Sequence, residues 1–108
     1  MPYFAVIREA GPGWVPGRTM RQQPCWSEHA ACMDRLVDDG LVLFGGPLAE
    51  SDRGRVRALL IVRAGDEAEI RRRLDEDPWT PSGLLTTHVD RWELLMGAQR
   101  MKAARRAP

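Results

Sequence analysis

Apolar and polar positions along the chain change their period several times, and each change marks an element. Tyr3-Phe4-Ala5-Val6-Ile7 is a short run of β-formers and predicts a first strand. From Ala10 to Pro24 the pattern vanishes. Gly11, Pro12, Gly13, Pro16, Gly17 and Pro24 predict a long loop or lid there, and loops of that length in a small domain usually carry function. From about Pro24 to Asp39 apolar residues recur at helical spacing. Trp26, His29, Ala30, Met33, Leu36 and Val37 share one side, which predicts an amphipathic helix with a histidine inside its apolar stripe. Pro24 suits the first turn, where a missing N–H costs nothing, and Gly40 is placed to end the helix.

The second half repeats this sequence of signals. Leu41-Val42-Leu43-Phe44-Gly45 predicts strand two, which Gly45-Gly46-Pro47 breaks. The polar run Glu50–Gly54 predicts the turn of a hairpin. In strand three, from about Arg55 to Arg63, Val56, Ala58, Leu60 and Val62 alternate with Arg55, Arg57, Leu59, Ile61 and Arg63. Asp66 caps a second helix from Glu67 to about Glu76, with Ile70 and Leu74 inward and Arg71-Arg72-Arg73 solvated. Asp77-Pro78 stops it, because a residue before proline disfavours the α region. Trp79–Gly83 is a turn, and Leu84 to Leu95 predicts strand four, with Trp92 packed at its end. Gly97 closes the globular part. The expected division is a domain over 1–97 and a basic tail over 98–108.

The order β-α-β-β-α-β is that of an α+β, ferredoxin-like fold: an antiparallel four-stranded sheet with two helices on one face. In that topology the start of helix one, the end of helix two, the end of strand two and the start of strand four share one end of the molecule. The 10–24 loop, His29, Gly45-Gly46-Pro47 and Asp77-Pro78-Trp79 should therefore converge. The opposite face of the sheet, with Leu59 and Ile61, needs a cover, and a second copy of the chain is the expected one.

Composition narrows the functional classes. The chain has 108 residues, 44% of them hydrophobic and 29% charged, with a formal net charge of +1. That length suits one modest core, and no global field draws the chain to nucleic acid or an anionic membrane. The tail cations Arg100, Lys102, Arg105 and Arg106 have no interleaved aromatics, a weak nucleic-acid signal. No apolar run is long enough to span a bilayer, and Met1–Ile7 lacks the basic start of a signal peptide. Cys25 and Cys32, seven residues apart on one predicted helix, lie about 10 Å apart, too far for a disulfide. Free thiols imply a cytoplasmic setting. With His29 these cysteines fit no standard zinc spacing, and no cofactor is expected.

Three stretches carry a resemblance. Trp26-Ser27-Glu28-His29, Gly40-Leu41-Val42-Leu43-Phe44-Gly45-Gly46-Pro47-Leu48 and Asp75-Glu76-Asp77-Pro78-Trp79-Thr80-Pro81-Ser82-Gly83-Leu84 resemble the YciI-like, or YCII-related, family across roughly residues 3 to 96. The resemblance implies a homodimer of the dimeric α/β barrel type. It also implies an active site on a His–Asp dyad, which by position is His29 and Asp77, lined by Gly46 and Pro47. One class of relatives is associated with dehydrochlorination of a chlorinated hydroxyquinol.

Each site residue has a plainer reading beside this one. His29, whose side-chain type titrates near neutrality, is either an acid/base or a core histidine bonded to a carbonyl. Asp77 either orients His29 or satisfies N–H groups where the helix stops. Gly45-Gly46-Pro47 either admits a ligand close to the backbone or is only a strained turn. Trp14, Trp26 and Trp79 either wall an aromatic pocket or pack a core. Arg18 and Arg21 either attract an anionic substrate or are solvated. Two functions follow: a lyase-like acid/base enzyme on a small organic molecule, or a non-catalytic metabolite-binding or accessory dimer.

Overall fold

The computed structural model describes residues 1–49, 51 and 55–106. Its strands are β1 (Tyr3–Ala10), β2 (Val42–Pro47), β3 (Arg57–Arg63) and β4 (Leu85–Trp92), and its helices α1 (Trp26–Asp38), α2 (Glu67–Leu74) and α3 (Ala98–Arg106). The sheet order is β2-β3-β1-β4, and every neighbouring pair is antiparallel. This is the ferredoxin-like arrangement. β2 and β3 pair as a hairpin should; of the turn expected over Glu50–Gly54, residues 50 and 52–54 lie outside the described residues. So do residues 107 and 108 of the tail.

The pleat of β1 organises the core. Phe4, Val6, Arg8 and Ala10 are buried on one side, while Tyr3, Ala5, Ile7 and Glu9 face the other. Phe4 and Val6 join Leu60 and Val62 of β3 against Cys32 and Leu36 of α1 and Ile70 and Leu74 of α2. Opposite them, Tyr3, Ala5 and Ile7 pair with Arg63, Ile61 and Leu59 on a face that no helix of the β-α-β-β-α-β unit covers. Phe44, 51% exposed, is aligned with Ile61 there. Arg105 of α3 lies over the Tyr3 ring, with its guanidinium carbon 5.8 Å from the centroid.

Several boundaries differ from expectation. β1 continues three residues past Ile7, because Arg8 and Ala10 keep the inward parity. β2 continues through Gly45-Gly46-Pro47 instead of breaking there: Gly45, Gly46 and Pro47 pair with Leu60, Leu59 and Ala58, and the irregularity sits earlier, between Val42 and Phe44. α1 begins at Trp26, not Pro24, because Cys25 takes a left-handed φ of 60° that no helix interior accepts. The buried stripe of α1 is His29, Cys32 and Leu36, and Val37 is 50% exposed. Trp92, 38% exposed, projects on the face opposite the core instead of packing into it.

Candidate functional site

The loop and turn at one end of the sheet are locked to each other by backbone hydrogen bonds. Gly11 and Gly13 donate backbone hydrogen bonds to the carbonyls of Leu84 and Gly83, at 2.7 and 2.9 Å. A Cβ on Gly11 would stand 2.3 Å from the Gly83 carbonyl oxygen, so only glycine permits the approach. Beyond this strap the loop closes around one buried carboxamide. Gln23 Oε1 accepts from the Val15 N–H at 2.9 Å, and its Nε2 donates to the carbonyls of Val15 and Arg18 at 3.0 and 3.2 Å.

Asp77 is the centre of the site. It is fully buried, and the Asp-Pro stop of α2 explains one half of its carboxylate. Oδ1 accepts the Trp79 backbone N–H at 3.0 Å, an Asx turn. Oδ2 faces the other way. It lies 2.7 Å from His29 Nδ1 and 2.8 Å from Arg8 Nη1. Arg8, 1% exposed, also donates from Nη2 to Thr80 Oγ1 at 2.7 Å and from Nε to Thr87 Oγ1 at 3.2 Å. Thr80 Oγ1 donates in turn to the Leu74 carbonyl. A buried guanidinium is tolerated here because a carboxylate and two hydroxyls surround it.

Burial pushes the Asp77 carboxyl up. The hydrogen bonds from His29 and the Trp79 N–H, the His29 charge and the Arg8 guanidinium outweigh it, and the carboxyl is held below the ordinary aspartate range. Cys32, one turn beyond His29, is shifted the opposite way. Burial raises its thiol first and the Asp77 charge adds to it, so it stays protonated.

Aromatic rings fix the imidazole. Trp79 stacks on His29 with centroids 3.8 Å apart and planes 7° from parallel. Its indole N–H donates to the Pro24 carbonyl at 2.6 Å, tying the turn to the start of α1. Trp26 lies 5.7 Å from His29 and 5.8 Å from Trp79. Trp14 meets the far side of this group: it stands edge-on to Trp79 at 5.8 Å and does not line the space beside His29. That space is a pocket of about 260 Å³, walled by Trp26, Met33, Pro47 and Trp79, with Arg8, His29 and Asp34 as its polar members.

His29, Asp77, Trp26, Trp79, Gly46 and Pro47 are therefore brought together, and Trp14 sits one ring further out. The strand pairing separates the two glycines. Gly46 pairs with Leu59 and contributes backbone only, whereas Gly45 pairs with Leu60 and turns its α-carbon inward. Arg8 is the residue that the sequence reading missed. The signal was its parity: it continues Phe4 and Val6 inward at the end of the sheet where the site lies. Among the described residues no group of three or more His, Cys, Asp or Glu side chains is arranged to hold a metal ion.

Fold and site together describe a small α+β protein in which the histidine of a buried histidine–carboxylate pair lines a largely apolar pocket. The chain belongs to the YCII-related domain family, which matches residues 2–93. Among solved structures it is similar to the 5-chloro-2-hydroxyhydroquinone dehydrochlorinase of Burkholderia phenoliruptrix AC1100, in complex with 2,5-dihydroxybenzoquinone. The TM-score is 0.61 and the identity 25%, over 84% of this chain and 93% of that one. A formyltetrahydrofolate deformylase from Pseudomonas putida KT2440 is similar at a TM-score of 0.46 and 12% identity, over 82% of this chain and 28% of that one. No curated protein matches the chain.

Proposed function

We propose that the protein is a lyase-like general acid/base enzyme acting on a small ring compound, with His29 as the proton-transfer group and Asp77 as its positioning residue. The observation that carries this reading is the 2.7 Å approach of His29 Nδ1 to a fully buried Asp77 carboxylate. An ionised Asp77 accepts a hydrogen bond from Nδ1–H, a tautomer that leaves the Nε2 lone pair free. Nε2 takes a proton from a substrate hydroxyl, and the resulting imidazolium, stabilised by Asp77, delivers it to the ring carbon that bears the leaving group; the group then leaves as its anion as a second ring hydroxyl loses its proton to solvent. Trp79 holds the ring in the plane this requires. The similarity to a dehydrochlorinase supports elimination from an oxygenated ring as the first reaction to try.

The working form in this reading is a cytoplasmic homodimer, with residues 1–97 as the domain and the tail as an appendage. The two free thiols agree with a reducing compartment, and no helix among the described residues is long and apolar enough to cross a membrane. The sheet face bearing Ile7, Phe44, Leu59 and Ile61 supplies the apolar surface that a partner copy would cover. Light scattering at micromolar concentration tests the dimer, and a monomer refutes it.

The catalytic reading is tested by proton exchange. Substituted hydroquinones, 5-chloro-2-hydroxyhydroquinone among them, are incubated with enzyme in D2O. Ring deuteration is followed by NMR and halide release by ion chromatography. Wild-type exchange that disappears in a folded His29→Ala variant is the expected result. Exchange that persists in that variant ends the His29 assignment.

A further inference from the structure

Elimination at the His29 pocket releases a proton that His29 does not carry. Nε2 takes the first hydroxyl proton and delivers it to the ring carbon. The second hydroxyl proton, lost as the leaving group departs, needs another acceptor. Among the described residues, the charged side chains that line the pocket with His29 are Arg8 and Asp34. Arg8 is a guanidinium that stays protonated, and it already donates to Asp77, Thr80 and Thr87. The Asp34 carboxylate is the group that can take a proton.

Its place on α1 suits that task. At 3.6 residues per turn, His29 lies about 60° to one side of Trp26 and Asp34 about 80° to the other, and five residues separate them by about 7.5 Å along the axis. Trp26, Met33 and Val37, which also line the pocket, fall between them. The two groups thus stand at opposite edges of one apolar stripe. Burial separates them in the same sense. His29 is buried and bonded to Asp77, whereas Asp34 is exposed, one turn from the half-exposed Val37. His29 therefore holds the inner edge of the stripe and Asp34 the edge that meets water.

We propose that Asp34 is the second base of this site and carries the second ring-hydroxyl proton to water. The inference rests on His29 as the first proton-transfer group. In the first half His29 moves a proton from one hydroxyl to the ring carbon bearing the halogen; that carbon becomes tetrahedral and the first C–O bond becomes C=O. In the second half the other O–H bond breaks. Its proton passes to an Asp34 oxygen, and its electron pair forms the second C=O. A ring double bond shifts, and the carbon–halogen bond breaks with its pair to halide. Asp34 then gives its proton to water. The ring loses one proton and one halide in all, and no oxidant is needed.

The two halves are read separately, with the full chain in oxygen-free D2O. Deuteration of unsubstituted hydroquinone, followed by NMR, reports the His29 half alone. Halide release from chlorohydroquinone, followed by ion chromatography, reports both. Asp34→Asn, with an unchanged melting temperature, should keep hydroquinone deuteration within twofold of wild type and lower halide release tenfold or more. Asp34→Ala should lose halide release to the same degree and regain at least threefold when sodium formate is added, because a small carboxylate reaches a site open to water. Halide release within threefold of wild type in Asp34→Asn overturns the assignment, as does failure of formate to rescue Asp34→Ala. Loss of deuteration together with halide release also overturns it, since Asp34 would then act through His29 or the fold. Wild-type protein that deuterates hydroquinone but releases no halide overturns the second base and leaves His29 standing. Wild-type protein that does neither removes both.

Discussion

Arg8 and His29 converge on a single atom: Nη1 of one and Nδ1 of the other lie 2.8 and 2.7 Å from the same Oδ2 of Asp77. Both elements that carry them, β1 and α1, are thereby pinned to the turn after α2. Arg8 gives the buried carboxylate a partner whose charge does not depend on pH.

Removing Arg8 should therefore cost stability beyond the loss of one contact. Arg8→Met leaves Asp77 buried with its permanent counter-charge gone, a change that costs about 3–5 kcal/mol in comparable buried pairs. Arg8→Met/Asp77→Leu should recover part of that cost. Urea unfolding at fixed protein concentration measures both. A double variant less stable than Arg8→Met would contradict the charge-compensation account.

Asp77 also sets the behaviour in acid. Its folded carboxyl lies below the ordinary value, about 3.9 in an unfolded chain. Its stabilisation is fully present above that value. As pH falls from there through the lower folded value, the unfolded chain binds the proton more readily and the stabilisation is lost. Asp77→Asn should lower stability at pH 7 and flatten its dependence on pH below about 4. Parallel pH curves for variant and wild type would remove Asp77 as the cause.

The two glycines of β2 should respond differently to a methyl group. A Cβ on Gly45 would stand 2.6 Å from Leu60 Cδ2, inside the pocket wall, while one on Gly46 meets nothing within 4 Å. Gly45→Ala should cost about 1–3 kcal/mol through overpacking, and it should weaken binding of ring ligands. Gly46→Ala should stay within about 0.5 kcal/mol of wild type in the isolated chain. Thermal melts with and without ligand separate these outcomes.

Thiol titration reads the burial at the start of α1. Cys25 is exposed and Cys32 is buried, its thiol raised by burial and by Asp77. Ellman's reagent should modify one thiol per native chain promptly and a second only on denaturation. Prompt reaction of both would show that α1 does not seal Cys32 against the sheet.

The periodicities of β1, β3, α1 and α2 carry the fold, because burial of one face dictates spacing of two or of 3.6 along the chain. They also carry the convergence of His29 with Asp77 and the Gly-Gly-Pro stretch, which follows from topology alone. Finer placement depended on local energies that residue type does not reveal. Arg8 breaks an apolar run, so residue type alone ends the strand at Ile7, although the parity of Arg8 points inward. The α1 face was misjudged by part of a turn, since Cys32 and Val37 both suit a core and only the sheet decides which meets it. Nothing about a cysteine announces a left-handed φ at Cys25. The ring order Trp14, Trp79, His29 depends on side-chain directions that spacing does not encode.

The Gln23 carboxamide has a consequence for how such a protein can diverge. By bonding to Val15 and Arg18, it makes the stretch between them its own scaffold, and Gly11 and Gly13 fasten that stretch to the body at a single strap. A segment that holds its own shape behaves as a cassette. Its side chains can be rewritten, or the whole stretch exchanged between relatives, without disturbing the Arg8–Asp77–His29 cluster. Evolution can then alter what approaches the imidazole while leaving the buried hydrogen-bond cluster untouched.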